Sequence, residues 1–436
     1  MITSIPQVVQ AMQTVLTTVA DQAGRATNFI LREVKLRGST FTQTLVFGFL
    51  ADPNATLEAL AQTAAALGVR ISPQGLDQRF TEEAAACLEQ VCAAAVAQVI
   101  AAAPVAIPIL ERFPAVEVHH SSTITLPPAL ADVFFGCAEG TAGLKVHVGL
   151  NLRSGALRGP TISDGCTHDS TVALPGDLPP QSLRLIELGY FRLERFQTLS
   201  EQQIYWLSRF KTGTSVWDAE GLRWDLPDVL ATQTSTVVEK PVQLGQAGTL
   251  ACRLLARRAP QELLDQRRRR LYAQARRRGT TPSPASLALA AWTILITNVP
   301  AEMLTVQEAL VVAHTRWQIE LLFKLCKSHG RSDESCSEQP WRILCEMYAK
   351  LLAMLVRQWI LVVCCWQYPD RSLTKAAQTI RSLALHLACV LRDTDQLPAA
   401  LGIIQDCLAI GCRINTRKKE PHTYQLLFGA VAESLA

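Results

Sequence analysis

Between His314 and Lys327 the chain reads His-Thr-Arg-Trp-Gln-Ile-Glu-Leu-Leu-Phe-Lys-Leu-Cys-Lys. If this stretch is an α-helix, at about 100° per residue, Arg316, Glu320 and Lys327 fall within about 20–40° of one another. Trp317, Leu321 and Leu322 then lie on other faces, where they can pack. One carboxylate flanked by cations on a single helical stripe suits work on phosphates: the carboxylate can ligate a divalent metal and the cations can hold an anionic backbone. Spacing alone leaves an equal alternative, an amphipathic helix whose i,i+4 charges pair at the surface.

The pattern Arg316-x3-Glu320-x6-Lys327 resembles the Tyr-x2-Arg-x3-Glu-x6-Lys signature of insertion-sequence transposases of the IS-four type, in the DDE superfamily. The resemblance extends to Leu126-Pro127, Gly143-Leu144-Lys145-Val146-His147, Leu188-Gly189-Tyr190-Phe191 and Thr297-Asn298-Val299-Pro300. It therefore covers most of residues 50 to 400. It implies an RNase H-like α/β core that carries two Asp at strand ends, a Glu from a later helix, and a β-rich insertion before that helix. It also implies two Mg²⁺ (or Mn²⁺) ions, double-stranded DNA at the element ends and target, hydrolysis and strand transfer at phosphodiesters, and a homodimeric synaptic complex. This chain departs from the pattern at three places. The first Asp position is His120, the second is Glu187, and the signature Tyr position is Ala313. The expected catalytic and metal-ligating set is thus His120, Glu187 and Glu320. Glu187 keeps a carboxylate but shifts its oxygens by about 1 Å, which metal geometry tolerates poorly. His120 withdraws a hard anionic oxygen; neutral imidazole suits Mn²⁺ or Zn²⁺ better than Mg²⁺. Two functions follow: a DNA transposase with impaired strand chemistry, or a transposase-derived DNA-binding protein without catalysis.

Other residues join this reading. Arg316, Lys324 and Lys327 are candidate DNA or phosphate contacts. From Arg253 to Arg278 ten Arg face only Glu262 and Asp265, a local +8 within a chain of net +4. Arg267, Arg268, Arg269, Arg270, Arg276, Arg277 and Arg278 are therefore candidate DNA-backbone contacts, which would make binding fall steeply with salt; a solvated helix face is the alternative. Trp206, Trp217 and Trp224 lie in the expected insertion, where the resemblance implies an aromatic that stacks on a flipped base, but each reads more simply as core. His119 and Glu117 are expected on the strand face opposite His120. Asp132, Asp164 and Asp169 fall on loops, and pattern gives them no place relative to the site. His329, Asp333 and Cys336 show no ligand-like spacing.

The elements that must position these groups follow from pattern. With 436 residues, 49% hydrophobic and 18% charged, the chain can bury a large core and is not disordered. The thirteen Cys form no CxxC and sit mostly in apolar stretches, so they read as reduced, structural thiols. No basic-then-apolar leader opens the chain, and the most apolar window, Leu351 to Trp366, is shorter than a ~20-residue span. A cytoplasmic, nucleoid-associated protein without membrane contact is expected. Residues 1–108 read as a helical DNA-binding domain, with a helix-turn-helix-like segment at 56–80 marked by Thr56, Gly68, Ser72 and Pro73. Residues 109–195 read as the first part of the RNase H-like core and 196–285 as the β-rich insertion ending in the Arg-rich helix. Residues 286–436 read as the second part of the core with the C-terminal helices. Strands are expected from Val116 into His120, across Leu144–Leu152, at 183–188, in four pieces between 204 and 255, and over 287–297.

Overall fold

A computed structural model describes residues 3–32, 36–174, 176–324, 337–414, 426, 427 and 429. Strand β1 (Val116–Leu126) is built from β-branched and small polar residues and ends at Pro127, which cannot donate to a ladder. It pairs antiparallel with β2 (Ala142–Asn151), which pairs antiparallel with β3 (Leu157–Asp164). On its other edge β1 runs parallel to β4 (Leu183–Ile186), and β4 runs parallel to β5 (Tyr205–Arg209). The helix Leu193–Glu201 makes the β4–β5 crossover that a parallel pair requires.

The sheet continues through β10 (Trp292–Thr297), β9 (Leu250–Arg258), β8 (Val237–Leu244), β6 (Val216–Trp217) and β7 (Arg223–Trp224). This gives ten strands in the order β3-β2-β1-β4-β5-β10-β9-β8-β6-β7. The expected β-rich insertion is therefore an extension of the central sheet, and Tyr205–Arg209 belongs to the parallel core. The apolar run 287–297 is not one strand: Ser283 caps a helix Pro284–Leu289, and only Trp292–Thr297 is extended. Ser at the cap with Pro at the first helical position outweighs the β-like composition that follows.

The central strands are buried on both faces, so they read as near-continuous apolar runs. Leu183, Leu185, Leu207, Leu255 and Leu295 face the helical body, while Ile186, Trp206, Leu254 and Ile296 join a second core with Phe196 and Leu199 of the crossover helix. The helical body combines both ends of the chain. The helix Pro340–Cys364 packs on Gly38–Ala51 and Glu82–Val96, and Gln396–Ile410 packs on Ile5–Gln13. Residue 108, which opens the short helix Pro108–Glu111, is thus not a break in the core, which runs from Val8 to Leu427. Pro340–Cys364 is long and apolar enough to cross a membrane, but 94% of its most apolar window is buried inside the protein. Eleven of the Cys lie among the described residues and all are free; burial pushes Cys87, Cys92, Cys252, Cys364 and Cys365 up to about 12.

Candidate active site

The parallel register sets Val118 of β1 opposite Leu185 of β4. Two residues further along each strand, His120 and Glu187 meet where β4 ends, on the face that looks toward the helical body. His120 Nδ1 lies 2.8 Å from Glu187 Oε1. The third member arrives on the helix Trp317–Lys324, anchored over β1 by buried Ile319 and Leu322. The segment is not one continuous helix: Val306–Thr315 ends first, and Arg316 stands in the break. From there Arg316 Nη1 reaches Glu187 Oε1 at 2.5 Å and Glu320 Oε1 at 2.6 Å. Residues 120, 187, 316 and 320 therefore form one connected cluster, although 200 positions separate its ends.

Charge decides protonation here. Burial pushes the Glu187 carboxyl up, but the hydrogen bond and charge of His120 and the charge of Arg316 outweigh it and hold Glu187 below the usual carboxylate range. With Glu187 ionised, His120 Nδ1 must be the donor of their bond. Burial alone would lower Arg316; Glu187 and Glu320 more than compensate and raise it. A second guanidinium stands near: Arg209, at the end of β5, is lowered by burial and then by the charge of Arg316, and Arg267 is lowered by burial and then by Arg209. Positive charge thus continues from the cluster toward the Arg-rich helix Gln261–Arg277.

Behind Glu187 lies a support that sequence reasoning missed. The turn Leu188–Tyr190 follows at once. The Tyr190 hydroxyl lies 3.0 Å from His147 Nδ1, and His147 Nε2 lies 2.9 Å from Ser163 Oγ. Arg195 donates to the carbonyls of Tyr190, Ser170 and Val172, tying the turn to the 170–172 loop. That loop carries Asp169, which accepts from Ser121 Oγ at 2.8 Å and pairs with Lys145 at 3.2 Å. A Cβ on Gly189 would stand 2.7 Å from Asp169 Oδ2, so glycine permits this approach. The only sequence signal is the run Leu188-Gly189-Tyr190-Phe191; nothing in it names Asp169 or Arg195.

The remaining candidates divide. His119 and Glu117 lie on the opposite face of β1, as alternation requires, buried with Arg184 beside the partly exposed Arg158: Glu117 Oε1 is 3.3 Å from both His119 Nε2 and Arg158 Nε. Lys324 is exposed, and Lys327, His329, Asp333 and Cys336 lie outside the described residues. Arg268, Arg269, Arg270, Arg276, Arg277 and Arg278 are exposed, and Tyr272 stands exposed among them. Arg267 differs, because its guanidinium donates to the carbonyls of Ala290 and Trp292 and to Thr293 Oγ1. Trp206 is fully buried and stacked on Phe196, while the indoles of Trp217 and Trp224 donate to Gly245 O and Asp218 Oδ2. Asp132 is exposed, and Asp164 accepts from the Phe135 amide. The 56–80 segment keeps its caps, Thr56 on Ala59 N and Ser72 on Gly75 N, with Gly68 at φ +82°. Its second helix, Pro73–Asp77, spans only five residues.

The pair of divalent ions implied by the resemblance does not fit this arrangement. Among the described residues no group of three His, Cys, Asp or Glu side chains stands close enough to hold a metal ion. Arg316 bridges Glu187 and Glu320, so a guanidinium lies between the carboxylates that the expected site needs as neighbours. The donor set is two carboxylates and an imidazole, against the oxygen-rich cage that a pair of Mg²⁺ ions requires.

Comparison with known proteins bears on the same residues. Residues 118–356 match the family described as Transposase DDE domain. The chain is 24% identical over 363 residues to the transposase for insertion sequence element IS231F of Bacillus thuringiensis subsp. israelensis, covering 77% of this chain and 76% of that protein. It is 25% identical over 367 residues to the IS231C transposase of B. thuringiensis subsp. berliner, covering 78% and 76%. It is 23% identical over 269 residues to the IS1151 transposase of Clostridium perfringens, covering 56% of each. The matched span runs from within β1 to within the long apolar helix, more than half of the sequence, and the chain belongs to the Transposase DDE domain family.

Proposed function

We propose that this protein is an insertion-sequence transposase that binds double-stranded DNA at its element's ends, and that His120 and Glu187 impair its strand chemistry. The observation that carries this reading is the cluster itself: His120, Glu187 and Glu320, distant in sequence, lie in one partly exposed group joined by Arg316. The strand order β3-β2-β1-β4-β5, with β1 parallel to β4 and the last carboxylate on a later helix, supports an RNase H-like core. The exposed Arg268–Arg270 and Arg276–Arg278 groups, with Arg209 and Arg316 leading to the cluster, support a DNA backbone track. Homodimeric synapsis and two-ion hydrolysis rest on the family resemblance alone.

The chain's own groups do the following. Arg316 holds Glu187 and Glu320 at fixed separation. His120 donates to Glu187 and fixes its outer oxygen. Tyr190 and Arg195 hold the turn that presents Glu187. A second reading, DNA binding with no catalysis at all, is favoured by the imidazole at 120. Band-shift and nicking assays on the inverted repeats that flank the gene test both. Retained binding with weak nicking that disappears in Glu320→Ala supports the first reading. Binding with nicking absent in every metal supports the second, and no preference for those ends over random DNA refutes both.

A further inference from the structure

We infer that Arg316 is the resident cation of this site: its guanidinium occupies the place of a divalent ion between Glu187 and Glu320, so Arg316 and a metal compete for the same carboxylate oxygens. The inference deepens the transposase reading of the same cluster and rests on it. One nitrogen, Nη1, stands 2.5 Å from Glu187 Oε1 and 2.6 Å from Glu320 Oε1. A single donor bridging two carboxylate oxygens is the geometry a bridging metal would take, with N–H···O contacts instead of Mg–O bonds of about 2.0–2.1 Å. Glu187 Oε1 is taken twice, since it also accepts from His120 Nδ1. An entering ion must displace both donors from that oxygen.

Charge points the same way. Glu187 and Glu320 contribute −2, Arg316 returns +1, and an Asp at position 120 would have left a second uncompensated negative charge to attract an ion. With His120 that charge is gone, and Arg209 stands close enough to Arg316 to depress its own protonation, adding to the positive field. A hard, strongly hydrated ion such as Mg²⁺ must then shed water for two oxygens that are already hydrogen-bonded. Arg316 stands between Val306–Thr315 and Trp317–Lys324, one turn before Glu320, and from there reaches across to Glu187 at the end of β4.

Mg²⁺ titrated calorimetrically into the DNA-free, full-length chain tests this. The native chain is expected to give no saturating isotherm at millimolar Mg²⁺. Arg316→Gln leaves two half-buried carboxylates without their cation and is expected to bind Mg²⁺ at least about tenfold more tightly than native. His120→Asp, which keeps Arg316, is expected to gain an isotherm as well, so the test survives if Arg316→Gln fails to fold by circular dichroism. Native binding as tight as that of Arg316→Gln, or no gain in a folded variant, overturns the inference. Because no DNA is present, either result leaves the DNA-end reading to stand or fall on its own assay.

Discussion

At the scale of single residues, the site depends on side chains that never touch its acids. Arg195 holds three carbonyls around the turn that presents Glu187. Arg195→Ala should lower stability by on the order of 2 kcal/mol, through loss of the charged hydrogen bonds it donates to these carbonyls, as read from urea melts. It should also loosen the His120–Glu187 pair, visible as a shift in the His120 imidazole resonances. Glu308 gives a second residue-level test. Burial pushes its carboxyl up, but Arg112 at 2.7 Å and the Thr305 amide outweigh this and hold it below 4.5. A depressed carboxylate contributes stability above its unfolded value and loses it as pH falls through the folded value. Melting temperature should therefore drop below pH 4.5 in the native chain, and less steeply in Glu308→Gln, which is destabilised near neutral pH. Equal pH slopes for the two would contradict the pairing.

At the scale of elements, the Arg-rich helix separates two roles that its sequence merges. Arg267 donates to Ala290, Trp292 and Thr293 and ties the helix to β10, whereas Arg268, Arg270, Arg276 and Arg277 project into solvent. Arg267→Ala should destabilise the fold, while replacing the four exposed arginines should leave the melting temperature nearly unchanged. The quadruple variant should flatten the dependence of log K on log salt by about 0.9 for each DNA phosphate it no longer neutralises. The reverse assignment, a stable Arg267→Ala with the larger salt effect, would refute this division. Helix–strand succession, caps and the alternation of side chains along a strand are legible in the sequence because each rests on local chemistry: Thr56, Ser72, Gly68 and the alternating Leu144–Leu152 run all act where the pattern puts them. The break at Arg316 is not legible, since Val306 to Lys324 is a good helical sequence throughout and only the pull of Glu187 from another element explains why it matters. A single strand over 287–297 fails for a similar reason, because apolar composition hides the Ser283–Pro284 start signal.

At the scale of the whole molecule, sequence pattern divides the chain at 108, and the packing does not. Gly38–Ala51 and Glu82–Val96 share a core with Pro340–Cys364, so the first hundred residues and the last hundred are energetically one body. A core-disrupting change at either end, such as Leu45→Ala or Leu355→Ala, should cost about 2–5 kcal/mol and shift a single cooperative transition; two separate transitions would restore the domain boundary. The convergence of positions 120, 187 and 320 is visible in the sequence only through resemblance, because parallel pairing of β1 with β4 across some sixty residues leaves no local trace. The role of Arg316 between the acids leaves no trace either, as its spacing to Glu320 suits a surface pair equally well.

The most direct measurement is nicking of DNA carrying the element's terminal repeats, in Mg²⁺, by the native chain beside a His120→Asp, Glu187→Asp double variant. Both are expected to bind the ends, and the double variant to cut far faster. A native chain that already cuts in Mg²⁺ as fast as the double variant would contradict this expectation.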